Sequence, residues 1–237
     1  MKILIVTAHP HYAAQYCAGT IVNHSLRGDE VYVLSLTAGE LMTDAFTQEE
    51  LKRINKADMN KAGGILGVKE ITILDFPDTT ICNNDEVRLA INDEIRRVKP
   101  DTVITHWPND THPDFRETGL AVIDACFFAL VAAGKWAQKY KAHWINRLYA
   151  FEAPKLSVGF EPDYFVDITS SMDKKIEALK VFKVHYDANF GGNAENWCSE
   201  VTGANRRWGA ESGVLYAEPY RQLKVHEIHN KAFNYIP

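Results

Sequence analysis

The feature that most constrains the fold is the alternation of short apolar runs with longer segments of helical periodicity. The apolar runs lie at residues 2–7, 31–37, 70–74, 102–105 and 148–151. Each is a short run rich in β-branched or apolar residues, which suggests a strand covered on both faces. The pattern therefore predicts an α/β fold with a Rossmann-like, doubly wound and mostly parallel sheet.

Helical patterns lie between the apolar runs. They are predicted at residues 16–26, 47–66, 85–98, 118–133 and 170–186. Thr47 and Glu50 have the spacing of a capping box, which indicates where the second helix begins. Gly67 follows this helix, as expected for a residue that ends a helix in the left-handed conformation.

We expect a single domain spanning residues 1–237. A chain of this length with 46% hydrophobic residues has enough apolar material for one substantial core. Glycine and tryptophan residues cluster after residue 189. The segment 189–237 is therefore predicted to be a loop-rich C-terminal flap of the same domain.

Composition and charge exclude several classes of function. The formal net charge is −5 without a dense run of lysine and arginine, which argues against nucleic acid or an anionic membrane as a partner. The four cysteines are widely spaced, as is typical of reduced thiols that fill a core in a reducing compartment. The sequence shows neither a secretory signal nor an apolar run long enough to cross a bilayer. We expect a cytoplasmic protein with a small-molecule ligand.

Two polar turns follow predicted strands. His9-Pro10-His11-Tyr12 comes after the first strand, and the segment 106–115, which contains a second His-Pro pair, comes after the fourth. The carboxyl ends of parallel strands open onto the ligand crevice, so both turns are expected at one site. The alternative is ordinary turn chemistry, because Asn, Asp and Pro are common loop residues.

These turns resemble two motifs of the PIG-L or LmbE-like zinc-dependent N-deacetylases, which remove acetyl groups from amino sugars and related amines. The family motif Ala-His-Pro-Asp-Asp-Glu is matched by Ala-His-Pro-His-Tyr-Ala at residues 8–13, and His-Pro-Asp-His is matched by His-Pro-Asp-Phe at 112–115. Weaker similarities lie at residues 36–40, 66–68, 76–78 and 216–221.

The resemblance implies a zinc site, but only one of its three ligands is retained. His9 matches the first ligand, whereas Tyr12 and Phe115 occupy the other two positions. A phenol must ionise before it coordinates well, and a benzyl group has no donor atom. We therefore expect a degenerate zinc site, with zinc absent or weakly bound and deacetylase activity doubtful.

The resemblance also implies three catalytic residues. His11 stands at the position of the general base, His112 at that of the residue that polarises the substrate carbonyl, and Asp114 at that of the carboxylate that orients this ring. Histidine can accept a proton at neutral pH, so a base survives at residue 11. The alternative is that His112 and Asp114 cap the following helix.

Glu40, Trp107 and Arg221 are candidates for substrate binding. The aromatic ring offers a broad contact face, although such rings are often part of a core. The two charged residues match weak family positions, and an exposed salt bridge is the alternative. The resemblance implies an N-acylated amino sugar as ligand and a homo-oligomer.

Three further hypotheses remain open from the sequence. The first is a three-imidazole metal site formed by His9, His11 and His112, with His106 as another candidate. The second is a metal-free pseudoenzyme or ligand-binding subunit. A non-hydrolytic acid/base enzyme that catalyses hydration or elimination is the third hypothesis, with His11 as base and His112 as acid.

Overall fold

Seven strands form one sheet in the computed structural model, which describes residues 1–136 and 139–224. The strands are β1 (Lys2–Thr7), β2 (Glu30–Ser35), β3 (Glu70–Ile73), β4 (Thr102–His106), β5 (Arg147–Phe151), β6 (Tyr164–Asp167) and β7 (Ala217–Leu223). Their order is β3-β2-β1-β4-β5-β7-β6. The first five pair in parallel, and β7 runs antiparallel to both of its neighbours. The predicted α/β class with a mostly parallel sheet is confirmed.

Helices cover both faces of the sheet. They are α1 (Tyr12–Leu26), α2 (Gln48–Leu66), α3 (Asp85–Val98), α4 (Pro113–Phe128), α5 (Met172–Leu179), α6 (Lys183–Asn189) and α7 (Ala194–Ser212). In β1, Ile3 and Ile5 pack on the face covered by α1, α2, α5 and α7. Leu4 and Val6 pack on the opposite face with α3 and α4. This two-sided burial explains why the strand is continuously apolar.

The start and end of α2 follow the local sequence signals. The Thr47 side chain accepts a hydrogen bond from the Glu50 backbone N–H, and the Glu50 side chain accepts one from Thr47, which completes the capping box. Gly67 ends the helix at φ +80°, a left-handed conformation that a residue with a Cβ atom adopts at a cost. Both predictions are confirmed.

The structure differs from the prediction in the C-terminal part of the chain. The predicted helix at 170–186 is divided into α5 and α6, and the helix predicted at 118–133 begins at Pro113 and ends at Phe128. The segment predicted to be loop-rich contains the 19-residue helix α7 and the strand β7. Trp197 and Trp208 are buried on α7, so these rings stabilise a packed helix rather than a loop. Residues 225–237 of the predicted flap lie outside the described residues.

A buried ion pair joins α5 to β7. Lys175 Nζ lies 2.7 Å from Glu218 Oε1, and both side chains are fully buried. The Glu218 carboxylate also accepts hydrogen bonds from the backbone N–H groups of Gly19 and Thr20 in α1. The pair therefore helps to position α1, which begins directly after the first His-Pro turn.

All four cysteines are free thiols, as predicted. Cys17, Cys126 and Cys198 are buried, but Cys82 is exposed, so its assignment to the core is wrong. No helix in residues 1–136 or 139–224 is both long and apolar enough to cross a bilayer.

Candidate active site: a histidine pocket at the carboxyl edge of the sheet

A cavity of about 200 Å³, which we call the histidine pocket, opens beyond the carboxyl ends of the central strands. It is lined by His9, His11, Tyr12, Gly39, Leu41, Met42, Asp78, Thr79, His112, His185 and Asn189. The chain adds β2 and β3 on one side of β1 and then crosses over to add β4 on the other side. Ligands of doubly wound sheets bind at such a switch point. The structure therefore brings the two predicted His-Pro turns together.

The His9 ring has polar neighbours at both of its nitrogens. Its Nδ1 lies 2.8 Å from Thr37 Oγ1 and 3.2 Å from Asp78 Oδ1, and its Nε2 lies 3.4 Å from Asp114 Oδ2. Burial, with His112 nearby, lowers the pKa of His9 to about 3. The ring is therefore neutral near pH 7, which is the form that can bind a metal ion.

Asp114 faces His9 and holds a neighbouring loop. Its carboxylate accepts hydrogen bonds from the backbone N–H groups of Thr79, at 2.9 Å, and Ile81, at 3.2 Å. Burial raises the pKa of Asp114, and the hydrogen bond from Thr79 acts in the opposite direction. Among the described residues, Asp114 makes no hydrogen bond to the His112 ring that would correspond to its predicted role in orienting that ring. It remains a prediction.

His112 precedes α4 and lies half-buried at the pocket. Its side chain makes no capping hydrogen bond, so the alternative that it merely caps the helix is wrong. The ring stacks on Phe115 with a centroid distance of 4.1 Å. Within the described part of the chain, its Nδ1 atom is buried without a hydrogen-bond partner. This nitrogen therefore keeps the capacity for one further hydrogen bond.

His11 is nearly fully buried in the pocket wall. Its ring lies 4.0 Å from the ring of Tyr12 and 4.1 Å from that of His185, measured between centroids. Burial, followed by the neighbouring His185, lowers its pKa well below the usual value. The ring is therefore neutral, and its Nε2 has no hydrogen-bond partner in residues 1–136 and 139–224. A neutral imidazole can accept a proton, although the low pKa makes it a weak base.

Tyr12 and Phe115 pack against each other instead of offering a pair of metal ligands. Their ring centroids are 4.6 Å apart, and Phe115 is fully buried. Burial raises the pKa of Tyr12, with Asp78 acting in the same direction, so its phenol stays protonated. Neither residue supplies the charged oxygen or imidazole nitrogen that zinc requires. The zinc site implied by the resemblance therefore does not fit these residues.

The predicted three-imidazole arrangement is not formed. His106 Nε2 accepts a hydrogen bond from the Ala8 backbone N–H at 3.1 Å, so this ring fastens the end of β1. A different set does converge: donor atoms of His9, His112 and Asp114 lie within 4.8 Å of one another. No other group of three His, Cys, Asp or Glu side chains in the described ranges is arranged in this way.

The three predicted substrate-binding residues do not line the pocket. Glu40 is buried beside it and accepts a hydrogen bond from the Asp78 backbone N–H at 3.0 Å. Trp107 donates to the Val158 carbonyl, and the Arg221 guanidinium lies 5.3 Å from the centre of the Trp107 ring. A direct role for them in ligand binding stays a prediction.

Asp78, His185 and Asn189 are among the pocket residues to which sequence reasoning assigned no role. Asp78 belongs to a weak motif at 76–78, which could have drawn attention to it. His185 and Asn189 come from the short helix α6, and no motif marks either residue. Burial, followed by the neighbouring His9, lowers the pKa of His185 to about 4.

The fold and the pocket define a class of α/β proteins that bind a small molecule at the switch point of a Rossmann-like sheet. A model of the PIG-L family, described as GlcNAc-PI de-N-acetylase, matches residues 4–126. The chain belongs to the PIG-L family.

Individual relatives agree with this assignment. The diacetylchitobiose deacetylase of Thermococcus kodakarensis is 30% identical over 242 residues, which cover 99% of this chain and 88% of the relative. The 4-oxalmesaconate hydratase of Pseudomonas putida is 25% identical over 185 residues, or 75% of this chain and 71% of the relative. The solved structure of N,N'-diacetylchitobiose deacetylase from Pyrococcus horikoshii matches with a TM-score of 0.85 and 26% identity, over 98% of this chain and 87% of that one. The predicted family resemblance is confirmed.

Proposed function

We propose that the protein binds an N-acylated amine of the amino sugar class in the histidine pocket. We further propose that it hydrolyses the N-acyl bond without the family's inherited zinc ligands. The observation that carries this proposal is the convergence of His9, His112 and Asp114, three residues of the two family motifs, at one pocket. The relatives named for the deacetylation of diacetylchitobiose support the substrate class.

The size of the pocket limits what it can hold. Its volume of about 200 Å³ lies below the roughly 300–1,000 Å³ common for drug-sized ligands. One sugar ring with its acyl group is therefore a more suitable occupant than a long oligosaccharide. Leu41 and Met42 offer apolar contact, and the histidines and Asp78 offer polar contact.

The proposed reaction uses His11 as the proton acceptor. Its Nε2, which has no hydrogen-bond partner among the residues that the structure describes, takes a proton from water as the oxygen adds to the acyl carbon. The acyl carbonyl oxygen lies at the His112 side of the pocket. When the C–N bond breaks, the amine nitrogen receives the proton that His11 accepted, and the acyl group leaves as a carboxylic acid.

The test is incubation with N-acetylglucosamine and N,N'-diacetylchitobiose, with release of acetate and of free amine measured separately. We expect equal release of both products. His11→Gln should lower kcat by about 100-fold or more, because general base catalysis contributes roughly 10²–10⁴-fold. His24→Gln is the matched control, since His24 pairs with Asp29 outside the pocket.

Two results would contradict the proposal. The first is unchanged turnover by His11→Gln. The second is the absence of both acetate release and calorimetrically detected binding with the wild-type protein. Binding without product would instead identify a ligand-binding subunit, and it would overturn the hydrolytic step alone.

A second candidate is the hydration of a carbon–carbon double bond or the reverse elimination. It is favoured by one ring nitrogen each of His11 and His112 that has no hydrogen-bond partner in residues 1–136 and 139–224. The similarity to a hydratase favours it as well. His11 would take a proton from water, and His112 would give a proton to the neighbouring carbon. Loss of the ultraviolet absorbance of 4-oxalmesaconate without acetate release from the sugars would support this candidate over the first.

A further inference from the structure

Two donor atoms in the histidine pocket already have the spacing that a small cation requires. His9 Nε2 and Asp114 Oδ2 lie 3.4 Å apart. A tetrahedral zinc ion with bonds of about 2.0–2.2 Å holds its ligand atoms roughly 3.4 Å from one another. A donor atom of His112 lies within 4.8 Å of both, so a small movement of its ring would complete a three-ligand set.

The surroundings orient two of these three side chains. On His9, Nδ1 is held by Thr37 and Asp78, which leaves Nε2 directed at Asp114. The Asp114 carboxylate is fixed by two backbone N–H groups of the loop 79–81. Metal-binding histidines are commonly oriented in this way by a carboxylate or another acceptor at the second ring nitrogen.

The third side chain, His112, has a ring nitrogen without a hydrogen-bond partner among the described residues. His112 Nδ1 is buried without a hydrogen bond in the described ranges, and such a nitrogen is costly to leave unpaired. The ring lies 5.8 Å from that of His9, measured between centroids. A metal ion between the two rings would draw His112 toward it.

We propose that His9, His112 and Asp114 form a binding site for a divalent ion of the zinc type, displaced from the position where the family resemblance places zinc. Two imidazoles and one carboxylate make up a known kind of catalytic zinc site, which keeps its fourth position open for water. Only His9 is shared with the inherited set, because Tyr12 and Phe115 pack against each other. The histidine pocket leaves room for a water molecule and a ligand.

This inference rests on the proposed function and deepens it, because an ion held by His9, His112 and Asp114 would supply a positive charge that favours polarisation of an acyl carbonyl group. Metal binding at this site can be tested without a sugar substrate. Failure to bind metal and failure to hydrolyse an N-acyl bond are therefore separate results.

The experiment is titration of chelator-treated protein with Co²⁺, followed by visible absorption and calorimetry. Co²⁺ replaces zinc in sites of this kind and reports its own coordination. We expect one ion per chain. His112→Gln should weaken binding by roughly 100-fold or more, since loss of a residue that only hydrogen-bonds to a metal ligand already costs about 10–100-fold.

Tyr12→Phe separates the displaced site from the inherited one, because it removes the only oxygen at the inherited ligand positions. We expect Tyr12→Phe and the remote His24→Gln to bind Co²⁺ like the wild type. Asp114→Asn is a second ligand variant in case His112→Gln does not fold, as judged by circular dichroism. The proposal is overturned by a wild type that binds no ion, by tight binding in both ligand variants, or by loss of binding in Tyr12→Phe.

Discussion

The ring of Tyr12 packs edge-on against the ring of Phe115, with centroids 4.6 Å apart and planes inclined at 81°. Phe115 also stacks on His106 at 4.5 Å and on His112 at 4.1 Å. Two residues that match metal-ligand positions in the family motifs thus form part of an aromatic cluster. The cluster supports two of the histidine rings at the edge of the sheet.

Phe115→Ala tests the packing role of this cluster. Phe115 is fully buried, so we expect its truncation to lower the free energy of unfolding by about 3–5 kcal/mol, measured by urea denaturation. Phe46→Ala, at a residue 43% exposed, is the control and should change stability by about 0.5 kcal/mol or less. A loss at Phe115 no larger than in the control would show that the ring does not fill the core.

Lys175→Met tests the buried ion pair with Glu218. Removing the lysine leaves a fully buried carboxylate without its cation, which should cost about 3–5 kcal/mol in urea denaturation. Asp187→Asn breaks the exposed pair between Lys183 and Asp187 and should cost less than about 1 kcal/mol. Similar losses for the two variants would contradict the structural importance of burial at Glu218.

His185 is expected to make stability depend on pH. Its pKa is about 4 in the folded protein and 6.5 without the fold, so the unfolded chain binds the proton first as the pH falls. The free energy of unfolding should therefore fall between about pH 7 and pH 4. His185→Gln should remove up to about 3 kcal/mol of this fall. Parallel pH profiles of the variant and the wild type would refute the assignment.

Gly119 marks a close approach between α4 and the end of β4. A Cβ atom at this residue would lie 2.7 Å from the His106 carbonyl oxygen and 3.1 Å from Pro108 Cα, both of them backbone atoms. We expect Gly119→Ala to lower the thermal unfolding midpoint. Gly203→Ala is the matched control, because its Cβ meets nothing within 4 Å in the middle of α7. It should stabilise by about 0.5–1 kcal/mol, and a loss at Gly203 would be the contrary result.

The elements predicted well were those whose local signals agree with their packing. β1 to β5 are short runs rich in β-branched or apolar residues, and α2 carries its own start and stop residues. α7 and β7 were missed because the local sequence argues against their final structure. Gly203 and Gly209 lie inside the helix, and Glu218 and Pro219 lie inside the strand. Buried tryptophans and the Lys175 ion pair override these weak local propensities.

The sequence by itself determined the α/β class, the family, and the edge of the sheet at which both His-Pro turns lie. These properties follow from periodicity and from motifs that are contiguous along the chain. Only the tertiary structure decided which imidazoles meet. The His11 ring lies against that of His185, which belongs to the distant helix α6. The His106 ring accepts a hydrogen bond from the Ala8 backbone N–H. The His9 ring faces the carboxylates of Asp78 and Asp114. Such contacts join residues far apart in sequence, and their geometry is set by the packing of whole helices on the sheet.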